Sequence, residues 1–273
     1  MARRLLDQDP RRERRRQVLM MQRIERPFEL RLRREIARAM REMAERFALT
    51  GEVLAPRDHV ENLTAIYQAM AVATVTAFGL RVLDAGIAKA APYTFDNGKT
   101  FAFAGATGLG VRVETKDFAA TMTRLALGYI ASEVIRRRIT NVSDTTRAQI
   151  IGAVARGYDE GLGQDGVAGF IRDLIPGMSG ARAGMIARTE VHSASNYGST
   201  EAARETGLRL QKEWIAAEDE RTRQDHVDAN GQIVDQNEPF LVGGESLMYP
   251  GDPAGSAAQV IQCRCTTGFI VID

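Results

Sequence analysis

The stretch Cys263-Arg264-Cys265-Thr266-Thr267-Gly268-Phe269-Ile270-Val271-Ile272 is rich in β-branched residues and reads as a strand from Cys265 onward. In extended backbone the side chains at i and i+2 share a face, so Cys263 and Cys265 point the same way, about 7 Å apart. A disulfide between such near neighbours would close a small strained ring, so both are read as thiols, which suits a reducing compartment. Working back, Leu210 to Ile215 and Ile233-Val234 are further strands, Asn230-Gly231 is a turn, and Pro250-Gly251-Asp252-Pro253 is a rigid loop. Trp214, the only Trp, is a core residue of the first of these strands. A short helix or turn covers Asp219 to His226, with Asp219 as its N-cap.

Before Gly207 the hydrophobic period changes from 2 to 3.6. A helix starts at Ser179 and carries Ala187-Arg188-Thr189-Glu190-Val191-His192; a shorter one near 166–174 stops at Pro176-Gly177. Ser143 or Asp144 caps a helix that reaches Glu160 and exits through Gly161 and Gly163. A helix from Asp117 to Ile139 ends in Arg136-Arg137-Arg138, where the C-terminal dipole favours cations. Around Asn97-Gly98, residues 93–103 alternate apolar and polar and predict a hairpin. Gly105, Gly108 and Gly110 follow; without a closing Lys-Ser/Thr or the GxGxxG order they read as a connector, not a phosphate loop. Pro56 opens a helix to Ala90. Its nineteen uncharged residues, Asn62 to Leu80, are long enough to span a bilayer. Their polar content, and the stripe Leu63, Ile66, Tyr67, Met70, Ala77 and Phe78, favour a buried core helix and no membrane span. Residues 11–48 form a basic helix with Phe28, Leu32, Glu35, Ala39 and Met43 on one face, broken or restarted at Pro27. The fold class is α+β: a mainly helical N-terminal region followed by a small α+β C-terminal domain with a short antiparallel sheet. The expected divisions are a basic helical arm over 1–50, a helical region with the hairpin over 51–140, and the C-terminal domain over 141–273.

With 273 residues, 44% of them hydrophobic and 26% charged, the chain can build a packed core, which excludes global disorder and collagen-like repeats. Sparse aromatics argue against a long stacking platform for single-stranded nucleic acid. The formal charge of +1 hides an asymmetry. Residues 1–46 hold fifteen Arg and no Lys against eight acids, a net +7, which leaves the remainder acidic. Arg11, Arg12, Arg14, Arg15, Arg16, Arg31, Arg33 and Arg34 are thus the candidates for contact with nucleic acid or an acidic partner surface, the alternative being a helix face that simply stays solvated. No apolar region or small-residue cleavage site follows this segment, so no secretory signal is expected.

Two thiols on one strand face need only imidazole to give three ligands of a tetrahedral zinc site. His226 and His192 are the imidazoles in the same half of the chain, whereas His59 is remote in sequence. The competing reading is a pair of inert buried thiols, and C-x-C spacing does not decide between them. Were the site an open, water-activating zinc of a hydrolase, Glu190 or Asp219 would serve as base, but neither lies in an HExxH arrangement. Arg188, Glu190 and Asn196 on the helix, with Asp219, Arg221 and Arg223 on the turn, are read as a buried polar network joining helix to sheet, the alternatives being a solvated helix face and a simple capped turn.

The ordered series Ile186-Ala-Arg-Thr-Glu190, Asn196, Gly207, Lys212-x-Trp214, Asp219-x-Arg221-Thr-Arg223-x-x-His226, Gly231, Phe240, Pro250-Gly-Asp-Pro253 and Cys263-Arg-Cys265 resembles the C-terminal domain of the phage Mu F-like minor head proteins, the phage head morphogenesis family. The likeness covers roughly half of the chain, and the helices from Ile139 to Pro176 resemble the segment that precedes that domain in the family. Gln262 stands where the family usually has Asn. The resemblance implies a minor capsid protein of a virion assembled in the host cytoplasm. It further implies a place at the portal vertex, portal and other capsid proteins as partners, and a role in head assembly, DNA packaging or DNA delivery; it implies no established enzyme. A zinc-dependent hydrolase or nuclease using the His/Cys cluster, and a DNA-binding module built on the Arg-rich N-terminus, are the alternatives.

Overall fold

A computed structural model describes residues 3–6, 9–89, 91–94, 100–103 and 118–272. In chain order the elements are β1 (Arg3–Arg4), α1 (Pro10–Thr50), α2 (His59–Lys89), β2 (Ala91–Thr94), β3 (Thr100–Phe103), α3 (Phe118–Ala131), α4 (Glu133–Asp159), α5 (Gln164–Glu205), β4 (Leu210–Ile215), α6 (Gln224–Asp228), β5 (Ile233–Asp235), β6 (Phe240–Val242), β7 (Glu245–Leu247), α7 (Ala257–Val260) and β8 (Thr266–Val271). The architecture is α+β, as the change of period implies. The chain divides into two compact units: Met1–Ile24, Ala71–Tyr129 and Thr189–Asp273 form the first, Glu25–Met70 and Ile130–Arg188 the second.

The first unit is organised by an antiparallel sheet in the order β1-β8-β4-β5. β8 pairs with β4 along six residues, from Leu210 opposite Val271 to Ile215 opposite Thr266, and with β1 on its other side. Leu5, Val82, Leu83, Met122, Ala202, Ala203, Leu210 and Phe269 pack into one apolar cluster. Trp214, Ala216, Ala229, Phe240, Val242, Leu247, Cys263 and Cys265 form another. A nearly buried ion pair ties the start of α1 to α2: the two terminal guanidinium nitrogens of Arg81 donate to the Glu13 carboxylate at 2.6 Å, and Gln17 donates to the same carboxylate at 2.8 Å.

In the second unit Phe28, Leu32, Glu35, Ala39 and Met43 are all buried, so the 3.6-residue stripe of α1 faces the core. Phe28 meets Tyr67 edge to face, with ring centroids 5.5 Å apart. Glu35 accepts from Arg38 at 2.8 Å and lies 2.8 Å from His59 Nδ1. Burial alone would raise this carboxyl, but the hydrogen bonds from Arg38 and His59 hold it below the usual range. Gln164 donates to the carbonyls of Phe47 and Ala48 at the end of α1; the first also accepts from the Gly51 N–H, and the second is one of the acceptors the helix end leaves open.

Several boundaries differ from the sequence reading, each for a physical reason. α1 runs through Pro27 and α5 through Pro176 without a break. Both prolines are exposed, so water can satisfy the carbonyl each leaves unbonded one turn earlier. Consequently 166–174 and the segment from Ser179 belong to one helix. The helix expected to run to Ile139 instead stops at Ala131, because Ser132 is the N-cap of α4 and its side chain accepts from the Ile135 N–H. Arg136 and Arg137 thus lie near a helix start, where Glu133 pairs with both, and Ser143 is a buried mid-helix residue, not a cap. α2 begins at His59, three residues after Pro56. α2 is long and apolar enough to cross a membrane by length and composition, yet Leu63, Tyr67, Met70 and Phe78 of its stripe are buried. β2 and β3 pair antiparallel as the hairpin reading requires; Asn97-Gly98, Gly105, Gly108, Gly110 and Asp117 lie outside the described residues.

Candidate metal centre

The thiols are presented by the approach to β8. α7 ends at Val260, Gln262 takes a left-handed φ of 55°, and the chain then enters the sheet. The turn carries Cys263 and Cys265 into the cluster around Trp214. α6 brings His226 to the same place: its Nδ1 lies 3.3 Å from Cys265 Sγ and 3.6 Å from Cys263 Sγ. All three are buried, with at most 2% exposure, and their donor atoms fall within 4.8 Å of one another. Trp214 meets the His226 ring edge to face at 5.4 Å.

The electrostatics separate the two sulfurs. A hydrogen bond from Cys263 holds the Cys265 thiol well below its ordinary value against the opposing cost of burial, and the Ala217 N–H adds to the effect. Burial pushes Cys263 up. The downward shift at Cys265 favours the thiolate, the form that ligates metals.

Of the four sequence candidates for metal ligands, His226, Cys263 and Cys265 come together and His192 does not. His192 Nε2 lies 2.6 Å from the carbonyl oxygen of Cys265. Asn196 continues the seam, donating to the same carbonyl at 3.3 Å and accepting from the Thr267 N–H at 3.2 Å. His192 and Asn196 therefore fasten α5 to β8 through backbone groups. His59 is buried beside Glu35 in the second unit.

The remaining polar candidates scatter. Arg188 pairs with Glu25 at 3.4 Å in the second unit, while Glu190 is buried in the first. Asp219 is not a helix cap: α6 starts after Arg223, and Asp219 instead accepts from the Arg221 N–H at 3.0 Å and from Arg264 at 2.6 Å. Arg223 donates to the Ile261 carbonyl. Most of the basic candidates, Arg11, Arg12, Arg15, Arg16, Arg31, Arg33 and Arg34, are exposed on α1, and Arg14 is half-buried. Arg11 pairs with Glu218.

Sequence reasoning missed Gln259, whose Oε1 lies 3.0 Å from His226 Nε2, and Asp225, which accepts from Gln259 Nε2 at 2.7 Å. It also missed the burial of Lys212, which donates to the Met248 carbonyl at 2.7 Å and stands over the Phe240 ring. Asp225 next to His226 was the one available signal. Gln259 lies 33 residues further on, and nothing local points to it.

Residues 148–268 match the family described as Phage Mu protein F like protein. The chain is 30% identical over 145 residues to NAD(+)--arginine ADP-ribosyltransferase EFV of Enterococcus faecalis (strain ATCC 700802 / V583), a match covering 52% of this chain and 29% of that protein. It is 28% identical over 168 residues to Minor head protein GP7 of Bacillus phage SPP1, covering 55% of this chain and 54% of that protein. It is also 28% identical over 101 residues to Uncharacterized protein YqbB of Bacillus subtilis (strain 168), covering 36% and 33%. The chain thus spans about half or less of the length of these curated relatives. No solved structure matches.

Proposed function

We propose that the chain, whose residues 148–268 match the Phage Mu protein F like family, is a minor head protein of a tailed phage or phage-like particle, assembled in the host cytoplasm and retained in the virion. The observation that carries this reading is the domain match, joined by the likeness to a phage minor head protein over 55% of the chain. The partners we assign are capsid proteins, with the portal vertex as the docking place and support of head assembly, DNA packaging or DNA delivery as the role. Mass spectrometry and reconstruction of purified particles test it: the chain is expected in few copies at the portal vertex. Particles that mature and package DNA without containing it would refute the assignment.

The exposed arginines of α1 supply a surface for packaged DNA. Deleting the N-terminal segment is a poor test of this, since Glu13, Gln17, Met21, Phe28 and Leu32 are core residues. Reversing Arg15, Arg31 and Arg34 to Glu keeps that core. It is expected to weaken salt-sensitive DNA binding; unchanged binding would remove DNA from the list of partners.

We read the His226, Cys263 and Cys265 group as a zinc site that stabilises the domain. Three donors leave a fourth position to water or another ligand, but all three are buried, which restricts substrate access and favours a structural over a catalytic ion. Zinc should accompany protein purified under reducing conditions and be lost from Cys263→Ser with a fall in melting temperature. Hydrolysis of DNA or peptide abolished by Glu190→Gln would establish the enzyme instead.

A further inference from the structure

Of the three donors, His226 alone has two ring nitrogens to satisfy, and their surroundings differ. Nδ1 faces the two sulfurs. Nε2 faces the side-chain oxygen of Gln259 at 3.0 Å. An amide oxygen only accepts, so the neutral ring carries its hydrogen on Nε2 and turns the Nδ1 lone pair toward the thiols. The orientation of Gln259 is itself determined, because its Nε2 donates to Asp225 Oδ2 at 2.7 Å and a carboxylate cannot return that bond. Gly243 shields the relay. A Cβ there would fall 2.4 Å from both Asp225 Oδ2 and Gln259 Nε2, and the backbone has a φ of +57°. No side chain fits without parting the two.

We infer that Asp225 and Gln259 are positioning residues of a metal site, acting as a carboxylate–amide–imidazole relay that commits His226 to coordinate through Nδ1. The inference rests on the zinc reading of the His226, Cys263 and Cys265 group. A tetrahedral ion bound at about 2.3 Å from sulfur and about 2.0 Å from nitrogen sets an N···S separation of about 3.5 Å, and the two separations here are 3.3 and 3.6 Å. The relay explains why a glutamine and an aspartate that touch no sulfur are held together near the cluster. Such outer partners fix ring orientation and raise ligand basicity.

The test uses the full chain, zinc competition against a chromophoric chelator, and the visible spectrum of the cobalt(II) form. Gln259→Leu and Asp225→Asn are each expected to weaken zinc binding by about 10- to 100-fold, with altered cobalt ligand-field bands. In the double variant Asp225→Asn with Gln259→Glu, the new asparagine donates to the new carboxylate, which still accepts from His226, so affinity and spectrum should recover. Recovery is a result that a packing role would not give. Wild-type protein that binds neither zinc nor cobalt would overturn the zinc reading itself. Wild type that binds, together with single variants of unchanged affinity or a double variant that does not recover, would overturn the relay and leave the site standing.

Discussion

The backbone of Val75 runs so close to Gly198 that a Cβ added there would lie 2.8 Å from both the Cα and the carbonyl oxygen of Val75. Main chain cannot yield as a flexible side chain can. Gly198→Ala should therefore destabilise the protein by about 1 to 3 kcal/mol, read as a fall in the urea midpoint at unchanged slope. The equivalent change at Gly79 overlaps the flexible Met122 side chain, while the nearest backbone atom, the Gly198 carbonyl oxygen, stays at 3.4 Å, so it should cost less. Equal effects at the two positions would contradict the close approach of the two helices here.

Gln262 occupies left-handed backbone at φ 55° while its N–H donates to Thr189 Oγ1 at 3.1 Å. Asparagine tolerates this region better than glutamine, and a β-branched residue tolerates it least. Gln262→Asn is expected to raise the melting temperature slightly, by about 0.5 kcal/mol of stability, and Gln262→Val to lower it by more than 1 kcal/mol, each roughly on the scale of a single strained backbone position. Thermal melts that rank Val above Asn would be incompatible with the turn.

Breaking the Glu13–Arg81 pair would strand a carboxylate that is 3% exposed. Arg81→Ala should cost about 2 to 4 kcal/mol, most of it the penalty of the unpaired buried charge. Replacing Glu13 by Gln together with Arg81→Met removes the charge, keeps an acceptor for Gln17 and should cost less. A double-mutant cycle with no coupling would show that the pair is not held as described.

Lys212 gives a pH prediction. Burial, reinforced by Arg204, lowers its ammonium to about 8 from an ordinary 10.5. Between those values the unfolded chain holds a proton that the folded chain has released, so this group's contribution to stability rises with pH through that window and is complete above about 10.5. Below about pH 8 the cost of burying the charge is present in full. The stability of wild type minus that of Lys212→Met should accordingly increase from pH 8 to pH 10 in urea unfolding. A difference that is flat, or that falls, would be inconsistent with this environment.

What could be read in the sequence was whatever repeats locally. The stripe Phe28, Leu32, Glu35, Ala39 and Met43 follows the helical period and is buried throughout, and the strand at Leu210–Ile215 has the bounds expected of it. Misreadings arose where two local signals competed. Arg136-Arg137-Arg138 suggested a helix end, but the Ser132-Glu133 cap a few residues earlier decided the boundary. Pro176 suggested a stop, but a proline on the wet face of a helix costs little of the core contact that sustains it. At the candidate metal centre the donors were legible from residue type, but Cys263 and Cys265 lie on the turn ahead of β8 and not on the strand expected to carry them. The relay behind them was not legible, because Asp225 and Gln259 meet only through the tertiary fold.

Strand order has a temporal consequence. β8 lies between β1 and β4 in the sheet, yet follows β4 by some fifty residues in sequence and β1 by more than two hundred and fifty. Leu5 and Trp214 emerge from the ribosome well before the strand that shelters them, and long-range pairing of this kind is slow and exposed to aggregation. A nascent chain held just short of Cys263 should accordingly be a client for chaperones, and one released past Val271 should not.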